Sequence, residues 1–361
     1  MKLRRVYIDN FKGVKDIEFS LHAPSKAPWP LLALLGDNGS GKTTILQAIA
    51  LTLSMATRRT YRMETFNWHG FLANRVHSLG KTLVELDITF EQEEISLTRA
   101  LFEAWFESLP PEKRHQNYAT PSDLSEVTLR LENGRVTSPQ GAGALFQFLG
   151  RYYVKALKGT RPELKDNFAK LGDVFWFDQH RNLGSVMLEL TPDSSSQNEG
   201  WQAGVEQLRE YLIGWWAHHA TPQRRGKDYI ALLETCFQRV FPGRRFVGIM
   251  PRSEDAVHKA SDFYFLIEHE GIVYDLAEMS SGEQSIFPLI YEFVRLDIQR
   301  SIVLIDELEL HLHPPEQQRL LAALPKIGPD CQFLITTHSE YLSSVIPNEQ
   351  EVRLDRGTRC L

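Results

Sequence analysis

Glycines between an apolar run and a helical pattern provide the clearest chemistry in this sequence. Residues 36–44 read GDNGSGKTT and follow the apolar residues 31–35. The glycines let the backbone close around a phosphate group, because side chains there would hold it away. A lysine can reach phosphate oxygens, and a threonine hydroxyl can hold Mg²⁺. This is a P-loop pattern, and it predicts nucleotide binding by Gly36, Asn38, Gly39, Ser40, Gly41, Lys42, Thr43 and Thr44.

Two carboxylates follow a second apolar run. Residues 302–305 read IVLI and lead directly into Asp306 and Glu307. Asp306 can support the Mg²⁺ shell together with Thr43, and Glu307 can polarise an attacking water. Because neighbouring side chains at a strand end point in different directions, two separate roles are expected.

Two further motifs suit a triphosphate. Residues 336–339 read TTHS and close a third apolar run, so His338 is expected to stabilise the charge that spreads over the γ-phosphate. Residues 279–284 read MSSGEQ and precede a helical pattern, whose N-terminus can receive an anionic phosphate.

The elements that must position these residues alternate between strands and helices. Residues 2–21 alternate as a β-hairpin, residues 45–53 follow helical spacing, and strands and helices alternate after residue 263. This order predicts an α/β fold in which a sheet is packed by helices and the P-loop lies at the carboxyl end of a strand. Residues 91–260 contain several polar breaks and are expected to form an insertion.

The order and spacing of these motifs resemble those of the ABC-type ATPases, in their soluble SMC-, RecF- and OLD-like branch. The resemblance rests on NFKG at 10–13, the P-loop, MSSGEQ and DELELHLHP at 306–314, and it covers roughly residues 1–55 and 260–361. It implies a P-loop NTPase head of the ABC type, with a mixed sheet flanked by helices and an α-rich insertion. The expected division is 1–90 for the first part of the head, 91–260 for the insertion and 261–361 for the rest of the head.

The resemblance also implies how the site works. ATP and Mg²⁺ would be held between two copies of the chain, within a dimer or a higher homo-oligomer. Hydrolysis would depend on Glu307 and His338 of the copy that carries the P-loop. The second copy would contribute a signature turn, formed by Ser280, Ser281, Gly282 and Glu283. This turn departs from the LSGGQ sequence of transporters.

The biological role implied by the resemblance is nucleotide-dependent assembly that gates a separately encoded effector, such as a nuclease, in bacterial anti-phage defence. Only about twenty residues follow His338, so a nuclease domain is not expected within this chain. Three alternatives stay open. They are a DNA repair or recombination ATPase of the RecF or SMC type, the ATP-binding subunit of a transporter, and a scaffold that binds ATP without hydrolysing it.

Several residues allow two interpretations. Gln179 ends an apolar run and, by the resemblance, can complete the Mg²⁺ shell, although a loop role fits equally well. Alternating Glu309, His311 and His313 share one face of an extended segment and allow a metal site, whereas the resemblance places them at a subunit interface. The cations Arg224, Arg225 and Lys227 can bind a DNA or RNA backbone, or serve as a protein-docking or solvated surface.

Composition limits the class of protein. The 361 residues are 42% hydrophobic with a net charge of −6, so the surface as a whole is not built to coat nucleic acid. The three cysteines form no CxxC pair, which argues against structural zinc and fits a reduced compartment. The longest apolar runs fall far short of the ~20 residues that span a bilayer. We therefore expect a cytoplasmic protein without a membrane partner.

Overall fold

The computed structural model describes residues 1–58, 62–66, 68, 70–77, 80–114, 118–179, 201–222, 226–253 and 259–354, apart from the side chains of 165, 201–207 and 261. The chain forms two compact units. The first comprises Met1–Asp178, Gln299–Leu308 and Pro329–Leu361, and the second comprises Gln179–Ile298 and Glu309–Gly328. Each unit is compact by itself, and the functional division at residues 90 and 260 stays a prediction.

The secondary structure alternates as the sequence predicts. The strands are β1 (Lys2–Asp9), β2 (Ile17–Ser20), β3 (Leu31–Gly36), β4 (Leu83–Thr89), β5 (Glu126–Glu132), β6 (Arg135–Thr137), β7 (Val174–Phe177), β8 (Arg245–Pro251), β9 (Phe263–His269), β10 (Ile272–Asp275), β11 (Ile302–Ile305), β12 (Gln332–Thr337) and β13 (Glu351–Leu354). The helices are α1 (Lys42–Thr57), α2 (Gln92–Ser108), α3 (Pro111–Arg114), α4 (Ala142–Phe146), α5 (Gly150–Leu157), α6 (Trp201–His219), α7 (Tyr229–Gln238), α8 (Ser281–Arg295), α9 (Pro314–Ile327) and α10 (Glu340–Ser343).

A parallel sheet in the first unit carries the predicted motifs. Its strand order is β13-β3-β12-β11-β7, and every pair in it is parallel. Strands β7, β11 and β12 are buried at every residue, as expected for parallel strands covered on both faces. Because the strands run in one direction, the residues that follow β3, β7, β11 and β12 all leave the sheet at the same edge.

An antiparallel sheet completes the first unit, with the order β2-β1-β4-β5-β6. The predicted hairpin is confirmed: β1 and β2 pair in register from Arg5 with Ser20 to Ile8 with Ile17. Apolar side chains alternate along these strands, so one face is buried and the other is polar. Parallel and antiparallel strands therefore lie in separate sheets.

Much of the expected insertion belongs to the first unit. Strand β5 pairs with β4 along its whole length, because both alternate apolar and polar residues with the same period. Helices α2 and α5 pack around an aromatic cluster that includes Phe102, Trp105 and Tyr153. Residues 91–178 thus extend the N-terminal part of the fold.

The second unit combines the antiparallel sheet β10-β9-β8 with helices α6 to α9. Its interior is aromatic, and Phe237 of α7, Phe246 of β8 and Phe287 of α8 contact one another. A buried ion pair joins Arg209 of α6 to Asp275, with Nη2 and Oδ2 2.9 Å apart. Within the described ranges, none of the helices has the length and apolar character that crossing a membrane requires.

Candidate nucleotide-binding site

The P-loop joins the buried strand β3 to helix α1. At Gly36 a Cβ atom would lie 2.6 Å from the Oγ of Ser40 and 2.7 Å from the carbonyl oxygen of Leu354, so a side chain does not fit there. Gly39 and Gly41 adopt φ of 81° and 95°, the left-handed region that glycine enters without strain. A Cβ on Gly39 would meet no atom within 4 Å. Glycine thus allows the turn, and the space beside Gly39 is open.

Lys42 keeps its ammonium group inside the loop. Its Nζ donates hydrogen bonds to the carbonyl oxygens of Gly36, at 2.7 Å, and Asp37, at 3.0 Å. The side chain is buried, and the residue opens the helix α1. The positive charge is therefore held where the loop would close on a phosphate group.

Asp306 links the P-loop to the end of β11. Its buried carboxylate accepts hydrogen bonds from the hydroxyl groups of Thr43, at 2.8 Å, and Thr336, at 2.6 Å. Burial raises the pKa of Asp306, and the two hydroxyl groups oppose that rise. The negative charges of Glu307 and Asp178 raise the pKa further. Such a group is stabilised in its ionised form by a nearby cation.

The donor set fits a nucleotide with Mg²⁺. A hydroxyl and a carboxylate in contact are hard oxygen ligands of the kind that Mg²⁺ prefers. The Oγ of Ser40 is buried and makes no hydrogen bond within the described structure, so it is available to a phosphate oxygen. Thr43 and Asp306 are the residues that would hold the ion, while Lys42 and the loop would hold the phosphates.

Glu307 occupies a strained backbone position. Its φ is 46°, which costs a non-glycine residue about 1 kcal/mol or more. The surrounding structure fixes the turn: the N–H of Glu307 donates to the Oγ1 of Thr336 at 2.8 Å, and the N–H of Leu308 donates to the carbonyl oxygen of Thr336 at 3.2 Å. The chain thus leaves β11 abruptly, with Asp306 buried and Glu307 partly exposed.

His338 follows the neighbouring strand. Strand β12 ends at Thr337, which pairs with Leu35 of β3, and its Ile335 pairs with Ile305 of β11. His338 therefore leaves the sheet at the same edge as the P-loop and Asp306, with an exposed side chain. The register thus brings these motifs to one edge of the sheet, while the catalytic role of His338 stays a prediction.

Strand β7 brings a residue that sequence reasoning missed. Phe177 pairs with Ile305, and the N–H of Asp306 donates to the carbonyl oxygen of Phe177 at 2.9 Å. Asp178 is therefore the neighbour of Asp306 at the sheet edge, and it is also buried. The predicted ligand Gln179 is one residue further on, and the described structure breaks off after it until residue 201. An acid directly after an apolar strand, as at Asp306, was the available signal.

The signature turn lies in the second unit, at the start of α8. Ser280 caps the helix, and Glu283 closes the capping box by accepting from the N–H of Ser280 at 2.9 Å. A Cβ on Gly282 would lie 3.2 Å from the carbonyl oxygen of His311 and 3.3 Å from Oε2 of Glu316. Glycine at this position therefore allows the segment 309–316 to lie against the turn.

The side chain of Glu283 is directed into the second unit. Its carboxylate is buried and, besides Ser280, accepts from Nε of Arg244 at 2.8 Å and from the hydroxyl of Tyr274 at 3.1 Å. These hydrogen bonds keep the pKa of Glu283 low despite its burial. Burial and the charge of Glu283 raise the pKa of Tyr274 to about 12, so the phenol remains a donor. Glu283 holds the turn together from within.

The other predicted sites are less well supported. Arg224 and Arg225 lie outside the described residues, and Lys227 pairs with Asp297 at 2.7 Å. Among the described residues, no group of three or more His, Cys, Asp or Glu side chains is arranged to hold a metal ion. The alternative that residues 309–313 bind a metal thus gains no support.

Comparison with known proteins agrees with this geometry. A family model described as "AAA ATPase domain" matches residues 1–171, and one described as "AAA domain, putative AbiEii toxin, Type IV TA system" matches residues 191–344. Over these two stretches, the chain is similar to AAA domains. Together the two matches cover the motifs described above: the P-loop lies in the first, and Glu307 and His338 lie in the second.

The relatives of this chain include longer proteins. Over 99% of the chain, it is 24% identical to the Septu protein PtuA of Bacillus mycoides, 21% to the "Retron Ec83 probable ATPase" of Escherichia coli and 25% to the OLD nuclease of Thermus scotoductus. The chain spans 41%, 72% and 63% of these proteins, respectively. A solved SMC head bound to the winged-helix domain of ScpA is 15% identical, covers 95% of this chain and 91% of its own, and has a TM-score of 0.48.

Proposed function

We propose that the first unit binds ATP through residues 36–44 and holds Mg²⁺ with Thr43 and Asp306. The observation that carries this proposal is the hydrogen bond between these two side chains, which connects the start of α1 to the end of β11. When bound, Mg²⁺ offsets the negative charge of the phosphate oxygens and fixes their orientation. Lys42 adds a second positive charge from the loop, and Gln179 is kept as a further proposed ligand.

Hydrolysis in this proposal depends on two side chains beyond the metal ligands. Glu307 accepts a proton from the attacking water, since its carboxylate is partly exposed while that of Asp306 is buried. The strained turn supports this division, because it separates two adjacent acids into different environments. His338, at the same sheet edge, stabilises the charge on the γ-phosphate.

The signature turn is proposed to act on ATP held by a second copy of the chain. Helix α8 is 15 residues long, and its N-terminus carries the positive end of the helix dipole. Ser280, Ser281 and Gly282 form that terminus, in a different compact unit from the P-loop. The site around a nucleotide bound by one copy can thus be completed by the turn of the other copy. Assembly of the two copies then depends on ATP.

The biological role that we propose is an ATP-controlled gate for an effector in anti-phage defence. Similarity over 99% of the chain to proteins named for the Septu system, a retron and an OLD nuclease supports it. The proposed effector is a separately encoded nuclease. A nucleic-acid contact through Arg224, Arg225 and Lys227 is a further part of the proposal.

The decisive experiment uses Glu307→Gln. Without the base, ATP should stay bound and hold two copies together. We expect turnover to fall at least ~100-fold, as is typical when a general base is lost. Light scattering should then show an ATP-dependent increase in mass that persists for hours, whereas the wild type returns to its starting mass as ATP is consumed.

The matched control is Glu340→Gln, which removes an exposed acid at the start of α10. It should leave both turnover and the return of the mass unchanged. A Glu307→Gln protein that binds ATP but keeps one mass at all ATP concentrations would exclude the two-copy site. Undiminished turnover in that variant would exclude Glu307 as the base.

A further inference from the structure

An ion pair between the partly buried Arg244 and the buried Glu283 lies at the signature turn. Both carboxylate oxygens of Glu283 are engaged: Oε2 accepts from the N–H of Ser280 at 2.9 Å and from its hydroxyl at 2.7 Å. Oε1 accepts from Nε of Arg244 at 2.8 Å and from the hydroxyl of Tyr274 at 3.1 Å. Glu283 is 3% exposed, so water contributes little to its stabilisation.

This arrangement answers an electrostatic difficulty. An ionised carboxylate at a helix N-terminus is favourable for the helix, but it repels a phosphate group that approaches the same turn. Burial strengthens that repulsion, because the interior screens charge less than water does. A turn that contains an unneutralised Glu283 would therefore be a poor receptor for a nucleotide.

Arg244 is held in place to neutralise this charge. Its guanidinium lies 5.6 Å from the centre of the Phe241 ring, and its Nη1 donates to the carbonyl oxygen of Pro242 at 3.2 Å. Gln238 donates to the carbonyl oxygen of Arg244 at 2.7 Å and so ties its backbone to the end of α7. A cation fixed before the nucleotide arrives needs no ordering when the two copies meet.

We propose that Arg244 is a positioning residue for the reaction: by neutralising Glu283, it allows the turn at Ser280 to receive the phosphates of ATP bound by a second copy. This inference rests on the proposed two-copy site. In this proposal the turn of the second unit needs the charge of Arg244, whereas the P-loop does not. Arg244 therefore acts on assembly, while the binding of ATP by a single copy does not depend on it.

The experiment is carried out in the full chain with Glu307→Gln, so that hydrolysis does not interfere. Light scattering at saturating ATP and Mg²⁺ gives the protein concentration for half assembly. Binding of a fluorescent ATP analogue at low protein concentration gives the affinity of the single copy. The variants are Arg244→Ala, Arg244→Ala with Glu283→Gln, and Arg245→Ala. The last is a matched control, because Arg245 pairs with Glu268 on the surface of the same unit.

Arg244→Ala should raise the concentration for half assembly at least tenfold, because it leaves a like charge facing the incoming phosphates. The affinity for the ATP analogue should stay within twofold. Adding Glu283→Gln removes the charge and should restore assembly to within about threefold of the parent. Arg245→Ala should behave as the parent does.

Assembly of Arg244→Ala at the same concentration as Arg245→Ala would overturn the proposal, and so would a double variant as weak as the single one. If circular dichroism shows that Arg244→Ala is unfolded, Arg244→Gln is used. It keeps a donor for Glu283 without the charge, so normal assembly would again overturn the proposal. The variant Ser280→Arg distinguishes a failure of this inference from a failure of the proposed two-copy site. If Ser280→Arg also assembles normally, the two-copy site itself is wrong.

Discussion

The carboxylate of Asp306 is the point where the P-loop, β11 and β12 meet. Two hydroxyl groups, from Thr43 and Thr336, donate to a side chain that is almost fully buried. Hydrogen bonds of this kind lower the cost of an ionised buried group without removing it. Asp306 therefore costs stability in the absence of a cation, as functional residues often do.

The first prediction follows from the raised pKa of Asp306. In the folded chain the pKa of Asp306 lies above its value in the unfolded chain. Protonated Asp306 therefore stabilises the fold at low pH, and this contribution is lost as the pH rises through the pKa of the folded state. Asp306→Asn carries no such penalty. In EDTA without nucleotide, this variant should melt a few degrees higher than the wild type at pH 8, and the difference should shrink towards pH 4.5.

Thermal unfolding followed by circular dichroism at both pH values provides the measurement. Asp173→Asn is the control, since Asp173 lies at the opposite end of β7 from this cluster. An equal effect of Asp306→Asn at both pH values would show that the gain does not come from removing the charge.

The second prediction concerns Asp178, which shares the sheet-edge position of Asp306. A carboxylate at this place adds negative charge around the proposed ion, whereas the amide of Gln179 adds none. In the presence of ATP, Asp178→Asn should weaken Mn²⁺ binding about tenfold, and Gln179→Ala should weaken it less, by about threefold, because the amide is a neutral ligand. The signal of free Mn²⁺ in electron paramagnetic resonance measures both. The reverse order would favour Gln179 as the ligand.

At this scale, the sequence predicts which residue types end the apolar runs, because strands of a parallel sheet are apolar and their ends are polar. It does not predict that Asp178 lies beside Asp306, since that depends on the register of β7 against β11. The pair Arg244 and Glu283 is hidden for a similar reason: the two residues are 39 positions apart and meet only after folding.

At the scale of elements, the N-terminus of α8 is packed against the segment 309–316. The Oγ of Ser285 donates to the carbonyl oxygen of Leu310 at 3.2 Å, and Gly282 leaves room for His311 and Glu316. The turn and the segment that follows Leu308 are thus shaped by each other. The helix after Gly282 was predicted from its periodicity, but this contact was not, because nothing local in either stretch indicates it.

The third prediction tests that contact. Gly282→Ala places a Cβ 3.2 Å from the carbonyl oxygen of His311, so the turn or the segment must shift by a few tenths of an ångström. ATP-dependent assembly in the Glu307→Gln background should weaken about tenfold, while a single copy should bind the ATP analogue as before. Light scattering and analogue fluorescence measure the two effects.

Gly214→Ala is the matched control, because a Cβ at that position of α6 would meet no atom within 4 Å. It should leave assembly unchanged and stabilise the protein by about 0.5–1 kcal/mol, since alanine favours a helix over glycine. Assembly that is equally strong in both variants would mean that the packing around Gly282 does not matter for the second copy.

At the scale of the whole molecule, the proposed catalytic parts are divided between two compact units. The P-loop, Asp306, Glu307 and His338 belong to the first unit, and the turn at Ser280 belongs to the second. The α/β class and the order of motifs were predicted from sequence. The limits of the units were not, because β5 joins the N-terminal sheet through pairing with β4, which composition does not show.

The fourth prediction is that two inactive variants restore each other. Lys42→Ala cannot hold the phosphates, and Ser280→Arg blocks the turn, so each alone should lose at least ~100-fold in turnover. In a mixed pair, the P-loop of the second variant meets the intact turn of the first, and one complete site forms. An equimolar mixture should regain up to about half of the wild-type rate, because only mixed pairs assemble and each holds one complete site instead of two.

The upper limit applies when every copy is part of a mixed pair. The rate of phosphate release should pass through a maximum near equal amounts of the two variants. Activity that remains at the sum of the two separate proteins, although mixed pairs form, would place the turn and the P-loop of one site on the same copy.

The close approach of Gly36 to the carbonyl oxygen of Leu354 links the edge strand β13 to the proposed nucleotide-binding loop. Strand β13 runs beside β3 up to this point and takes part in shaping the phosphate loop. Substitutions in residues 351–354 that shift this strand should therefore change the affinity for ATP, although these residues belong to no nucleotide-binding motif. A genetic screen for weakened nucleotide binding would recover such positions, which alignments of P-loops alone leave out.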